Sequence, residues 1–298
     1  MNARNVTRLY DQLRAKSAPA SFAVKPITPV IGAEIEGVDL GGPISDALFA
    51  QIRQAMLDHH VLVFRDQTIS GEAHKAFGRR FGELHTHPFH MKDPPPGAPK
   101  PDPEILEVMA GPNSKHVNGE EWHTDVTCDD KPPMGSMLYM TVTPEGGAGG
   151  DTMFASTVAA YDTLSEPMRA FLEGLTAVHE GHKLYTDRYD ITPPDGGWPR
   201  AVHPVVVRMP DTGRKALFVN RCFTRRIVEL DQHESDALLE MLWRHVESTV
   251  ELQCRVRWTP NTLVFWDNRA TQHRAVWDYF PKSRYGQRVS IIGETPVR

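Results

Sequence analysis

A mainly β domain, a β-sandwich or jelly roll with helices packed outside it, is the fold class that three features of this sequence predict. Short apolar or alternating stretches recur through the second half, "GSMLYMTVT", "RKALFVN", "CRVRWTPNTLVFWD" and "RVSIIGE", each cut off by turn residues. Helix-like and strand-like stretches interleave with no repeat or long linker, so one domain holds them all. Composition agrees: 298 residues with 40% apolar and 24% charged residues build one large core.

Taken in order, the elements have local causes. The first twenty residues, "MNARNVTRLYDQLRAKSAPA", are basic and weakly amphipathic and read as a frayed leader, so residues 1–22 are expected to be a flexible extension ahead of a single domain over 23–298. "PITPVIGAEIEGVDL" reads as short strands. "SDALFAQIRQAMLDHH" starts at an N-cap serine, Ser45, and carries apolar residues at helical spacing. "HVLVFRDQ" has the apolar density of a buried strand, and "SGEAHKAFGRRFG" reads as a second helix. Two segments, about 91–104 ("MKDPPPGAPKPDPE") and 186–200 ("TDRYDITPPDGGWPR"), hold too much proline and glycine for regular structure, and loops of this kind often act as lids.

Several function classes are excluded by charge and pattern. A net charge of −5 argues against nucleic acid as a partner, because phosphate binding needs a concentrated basic surface. No apolar run approaches the ~20 residues that span a bilayer, and the leader lacks the apolar centre of a secretory signal, which points to the cytoplasm and to no membrane partner. Cys128, Cys222 and Cys254 are odd in number and form no C-x-x-C pair, so they read as reduced thiols and not as a disulfide or zinc framework. Cys128 reads as a small buried hydrophobe. Small-molecule chemistry is the remaining default.

That chemistry is sought in "EEWHTDVT". On a strand, His123 and Asp125 leave the same face, where one imidazole and one carboxylate could share an ion. With 14 His and 20 Asp in 298 residues, however, about one His-x-Asp triplet is expected by chance. A third donor is needed. "LVFWDNRATQHRAVWDYFPKSRYGQRVSIIGE" offers His273, followed by the evenly spaced Arg284 and Arg288, which a hairpin turned at "DYFPKS" would return to the side of His273.

In their order along the chain, "FGELHTHP", "WHTDVT", "GGDT", "HPVV", "ALFVN" and "WDNRATQHRA" resemble the taurine dioxygenase and 2,4-dichlorophenoxyacetate dioxygenase family of iron(II), 2-oxoglutarate-dependent enzymes, from about Val24 to Pro296. The resemblance implies a double-stranded β-helix, with His123, Asp125 and His273 as catalytic ligands of Fe(II) that leave positions open for 2-oxoglutarate and O2. It implies Arg284 and Thr152 on the far carboxylate of 2-oxoglutarate, a small anionic organic substrate, and release of succinate and CO2. Substrate positions by the same resemblance are His87, His90, Val126, Tyr185 and Arg288, with Arg288 and His87 on an anionic group. Around the ammonium of taurine the family's taurine enzyme has tyrosine, asparagine and serine, and the matching positions here read His90, Gly119 and Leu184. A sulfonate, sulfate ester or carboxylate other than taurine is therefore expected, and a homo-oligomer, dimer or tetramer, is the expected assembly.

Plainer accounts stand beside these. The glycines of "GGAGGDT" read as a turn, and Trp122, Trp266, Asp267, Asn268, Arg269 and Asn220 as packing and turn residues near the ligands. "HTHPFH", with His85, His87 and His90, raises a zinc-dependent hydrolase as an alternative, and a noncatalytic jelly-roll binding protein is another, though such a binder would be expected to lack a ligand or Arg284.

Overall fold

The computed structural model describes residues 20–87 and 101–298. His90, most of the 91–104 segment and the leader up to residue 19 lie outside the described residues. Fifteen strands are seen among them: β1 (Ala23–Pro26), β2 (Ala33–Glu36), β3 (Val61–Phe64), β4 (Leu106–Ala110), β5 (Pro133–Val142), β6 (Thr152–Ser156), β7 (Thr176–Glu180), β8 (Arg200–Pro204), β9 (Val206–Arg208), β10 (Lys215–Leu217), β11 (Thr224–Ile227), β12 (Gln253–Val256), β13 (Thr262–Asp267), β14 (Thr271–Ala275) and β15 (Arg284–Ile292). A large sheet has the order β1-β2-β3-β13-β5-β15-β4, and β12-β6-β14, β11-β7-β8 and β9-β10 form smaller ones. This is the expected mainly β, jelly-roll architecture with flanking helices.

The large sheet is covered on both faces, which explains why its central strands are apolar without alternation. In β3, Val61 and Val63 enter the core between the sheets, while Leu62 and Phe64 face the other way with Met137, Tyr139, Leu263 and Phe265. Helices α1 (Asp46–His59) and α2 (Gly71–Arg79) close that outer side with Ile52, Met56 and Phe77. Each such side chain contributes about 1.5–3 kcal/mol by burial. Both helices begin where the sequence marks them: Ser45 Oγ accepts the Leu48 N–H at 3.2 Å and Ser70 Oγ the Ala73 N–H at 3.1 Å.

Three helices were not expected. α3 (Thr157–Thr163) and α4 (Glu166–Leu172) are two turns each, and α3 is buried almost all round, so it shows no polar stripe. α5 (Gln232–Ser248) is long and amphipathic, packing Leu239, Leu242 and Val246 on the inter-sheet core. Its start is signalled by Asp231 and Glu234, whose carboxylate returns to the Asp231 N–H at 3.1 Å. The 186–200 segment also differs from expectation at its start, because Lys183–Arg188 forms a π-helical turn that buries Tyr185 against Trp198. Among the described residues no helix is long and apolar enough to cross a membrane.

Candidate active site

The run "EEWHTDVT" is not a strand, as its alternation implied. His123 forms a single bridge with His273 of β14, donating N–H to its carbonyl at 3.0 Å and accepting its N–H at 2.8 Å, and the chain then turns at Asp125. The two imidazoles are thus paired by backbone, with ring centroids 4.1 Å apart. Val126, next to Asp125, has φ +47°, an uncommon and strained conformation for a β-branched residue. Neighbouring groups hold the turn in place. The Asn268 amide accepts the Asp125 N–H at 2.8 Å and donates to the carbonyls of Asp125 at 3.0 Å and Pro133 at 2.9 Å. Thr124 Oγ1 donates to the Thr271 carbonyl at 2.9 Å.

The Asp125 carboxylate receives Ser136 Oγ at 3.0 Å, itself paired with Ser290 Oγ at 2.8 Å, and Arg288 Nη1 at 2.8 Å. Burial alone would raise its pKa, but the cation of Arg288 and the adjacent imidazoles hold it well below the usual carboxylate range. His273 is pushed the other way: burial, then the neighbouring His123, keep it neutral. His123 Nδ1 lies 2.8 Å from the Glu121 carbonyl, a hydrogen bond only if Nδ1 carries the proton, which leaves Nε2 as the ring atom turned to the site, 3.7 Å from Asp125 Oδ1. His273 Nε2 is 3.9 Å from the same oxygen. One donor atom from each of the three residues lies within 4.8 Å of the other two. Two imidazoles and one ionised carboxylate, buried and converging, fit a divalent transition metal of nitrogen and oxygen preference.

A pocket opens on this set, and His87, Val126, Thr152, Tyr185, Arg284 and Arg288 all line it. The expected hairpin between β14 and β15 does not exist. β14 pairs with β6 in the small sheet and β15 with β5 and β4 in the large one, so both arginines reach the pocket from the sheet opposite His273. Arg284 is only 3% exposed. Its Nη1 donates to the Gly150 carbonyl at 3.0 Å, its Nε has no partner, and no carboxylate pairs with it among the described residues. Burial lowers its pKa. Thr152 Oγ1 accepts the Trp258 indole N–H at 3.0 Å, which leaves its own proton to donate. The glycines before it are a turn, as expected, with Gly146, Gly147, Gly149 and Gly150 at positive φ, and one of their carbonyls serves Arg284.

His87 is buried edge-on to the Tyr185 ring, 6.3 Å between centroids. The zinc cluster of "HTHPFH" is not assembled among the described residues: His85 Nε2 pairs with Asp129 at 3.0 Å, away from the pocket-lining His87. Position 119 is tightly constrained. Gly119 has φ +78°, and a Cβ there would stand 2.9 Å from His123 Cε1. Cys128 is fully buried beside Val126, as expected of a small hydrophobe. Asp267 is engaged by Arg269, and Trp266 packs on His273 at 4.8 Å. Asn220 does more than end a strand, since it donates to Thr127 Oγ1 at 3.0 Å beneath the Asp125 turn, where His179 Nδ1 also meets that hydroxyl at 2.9 Å. Ser136, Ser290 and His179 had no local signal that tied them to the site.

A jelly roll that presents two histidines and one carboxylate to a buried pocket defines a non-haem iron(II) oxygenase. The family described as "Taurine catabolism dioxygenase TauD, TfdA family" matches residues 23–290, and the chain belongs to it. An alpha-ketoglutarate-dependent sulfonate dioxygenase of Saccharomyces cerevisiae is 35% identical over 97% of this chain and 71% of its own length. An alpha-ketoglutarate-dependent sulfate ester dioxygenase of Pseudomonas putida is 36% identical over 92% and 90%. Among solved structures, a taurine dioxygenase from Burkholderia xenovorans superposes with TM-score 0.78 at 36% identity, covering 93% of this chain and 91% of that one. AAD-2, solved with Mn(II) and N-oxalylglycine, does so with TM-score 0.76 at 25% identity over 93% and 100%. The protein is accordingly a 2-oxoglutarate-dependent dioxygenase that works with Fe(II), 2-oxoglutarate and O2 on a small organic anion.

Proposed function

We propose that this enzyme hydroxylates an organic sulfonate or sulfate ester with an uncharged tail, a carboxylate being the next choice, and that taurine is a poor substrate. The observation that carries the reading is the buried His123, Asp125, His273 set facing a pocket with two arginines of different status. In this assignment the triad holds Fe(II), and Arg284 with Thr152 takes the far carboxylate of 2-oxoglutarate. Arg288 and His87 take the substrate anion, and Val126 and Tyr185 border its tail. Iron bound there supplies the oxidation that turns 2-oxoglutarate into succinate and CO2 and a substrate C–H into C–OH.

The chain's own residues prepare that step. Asn268 and Ser136 fix the carboxylate, and the Glu121 carbonyl fixes the His123 tautomer. Arg284, buried without a counter-ion among the described residues, is matched by a ligand carboxylate that arrives with its own charge. Leu184, Tyr185 and Phe223 keep water from the pocket. An ammonium finds no side-chain acceptor at Gly119, whose N–H is donated to Tyr189 Oη at 3.2 Å, or at the apolar Leu184. An ammonium left unpaired beside those two positions costs about 2–4 kcal/mol. The names of the yeast and Pseudomonas relatives support the anion class.

Within the single domain, the segments about 91–104 and 186–200 are proposed to close over substrate, with residues 1–22 as an extension. Leu184 and Tyr185, just before the second segment, and Tyr189 within it line the pocket and support its part in this. Three buried unpaired thiols fit a reducing cytoplasm, where we place the enzyme. The test is anaerobic addition of Fe(II) and 2-oxoglutarate, which should give a visible charge-transfer band, followed by succinate release across a panel of anions. No band and no succinate would return the hydrolase or binding-protein readings; taurine turnover equal to the best anion would overturn the substrate assignment.

A further inference from the structure

The loop that leads into His123 is gripped from the pocket's cover. Arg188 closes the π-helical turn, and its two terminal nitrogens pair with Glu120 and Glu121, one each. Successive side chains of an extended chain diverge, so one guanidinium that meets both marks a bent loop, which turns at Gly119, φ +78°, and bends again at Glu121. The next residue, Tyr189, accepts the Gly119 N–H and stacks its ring on His116 with centroids 4.8 Å apart. On the other side of the same loop, the Glu121 carbonyl receives the Nδ1 proton of His123 at 2.8 Å, and the His123 ring fills the space a side chain would take at Gly119. Leu184, Tyr185 and Tyr189, which flank the grip, are pocket walls.

On the function proposed above, we infer that Arg188 is a positioning residue: by clamping Glu120 and Glu121 it ties the cover of the pocket to the backbone that orients His123. Substrate held under Tyr185 and Tyr189 and metal held by His123 then reinforce each other, and the coupling is reciprocal. A single partly exposed ion pair contributes little, but one guanidinium shared by two carboxylates and backed by a hydrogen bond and a ring stack holds a defined geometry. The clamp lies outside the triad and touches neither metal nor substrate.

The test compares wild type, Arg188→Ala and Arg188→Lys by Mn(II) affinity in the presence of 2-oxoglutarate, read from the electron paramagnetic resonance of free Mn(II), with and without hexanesulfonate. Wild type should bind Mn(II) more tightly when the sulfonate is present. Arg188→Ala should bind about fivefold more weakly and lose that enhancement, and Arg188→Lys, which keeps one charge, should recover part of both. Salt at ~0.5 M should move wild type toward Arg188→Ala. If Arg188→Ala fails to fold by circular dichroism, Arg188→Lys alone decides: Mn(II) affinity and enhancement equal to wild type overturn the inference. Unchanged Mn(II) affinity in folded Arg188→Ala, even with a raised KM for substrate, would make the segment a mere cover and overturn it too. Failure of wild type to bind Mn(II) would defeat the functional reading along with the clamp.

Discussion

Replacing Arg284 with methionine should make the ligand-free protein more stable while destroying its affinity for 2-oxoglutarate. The guanidinium is 3% exposed, donates to the Gly150 carbonyl and lies over the Tyr279 ring with 5.7 Å to its centroid, with no carboxylate partner among the described residues. A buried cation in that state costs several kcal/mol of desolvation that these uncharged contacts do not return, and exchange for an apolar side chain of similar length is commonly neutral or stabilising by 1–4 kcal/mol. A gain of about 2 kcal/mol, or roughly 5 °C in Tm for a chain of this size, is expected. The bound state changes in the opposite sense. Two charge-assisted hydrogen bonds to a carboxylate contribute about 1.5–3 kcal/mol each, so their loss weakens 2-oxoglutarate binding by at least ~100-fold. At a concentration 100 times the wild-type Kd, ligand stabilisation should fall from about 2.7 kcal/mol to about 0.4 kcal/mol. Thermal unfolding of both proteins with Mn(II), with and without 2-oxoglutarate, reads both effects in one series. A variant that melts below wild type without ligand, or that keeps a wild-type ligand shift, would refute the reasoning.

Asn268→Ala should cost about 3–5 kcal/mol, because it leaves the Asp125 N–H and the Asp125 and Pro133 carbonyls unpaired in the interior, and Mn(II) affinity should fall with it; a Tm within ~2 °C of wild type would count against it. Asp125→Ala should retain a wild-type circular dichroism spectrum yet release no succinate, and substantial turnover would remove Asp125 from the ligand set. His74, buried in α2, has a pKa lowered by burial from 6.5 to about 4, so the folded state binds fewer protons than the unfolded one between these values. Its contribution to stability is therefore complete above pH 6.5 and lost as the pH falls toward 4, by about 3 kcal/mol, and denaturant titrations of His74→Phe should show a correspondingly flatter acid limb. Arg288→Ala should raise the requirement for the anionic substrate far more than that for 2-oxoglutarate, and equal losses in the two KM values would reassign it.

What was readable in the sequence follows from how local each cause is. β3 could be recognised because a strand buried on both faces is apolar throughout, and α1 and α2 because a serine cap precedes an apolar period. α5 is equally marked in "DQHESDALLEMLWRHVES", through its capping box and its leucine spacing. α3 was not, since a short helix buried on all sides has no periodicity. The ligands were legible as ordered motifs, whereas their setting was not: turn chemistry at "DYFPKS" implies two neighbouring strands but does not say that they belong to opposite sheets. Nor does an asparagine announce that its amide will reach a backbone 143 residues away.

The contact between Gly119 and His123 has a consequence for how this enzyme's specificity can change. A polar side chain added at that position would receive an ammonium, yet its first atom would collide with the imidazole 2.9 Å away, on a backbone at φ +78° that favours glycine. Gain of amine recognition and retention of the metal are therefore opposed at one residue. A path toward taurine through this position must first reshape the loop that carries His123, so selection on single substitutions at Gly119 should return variants impaired in metal binding before any with a new substrate.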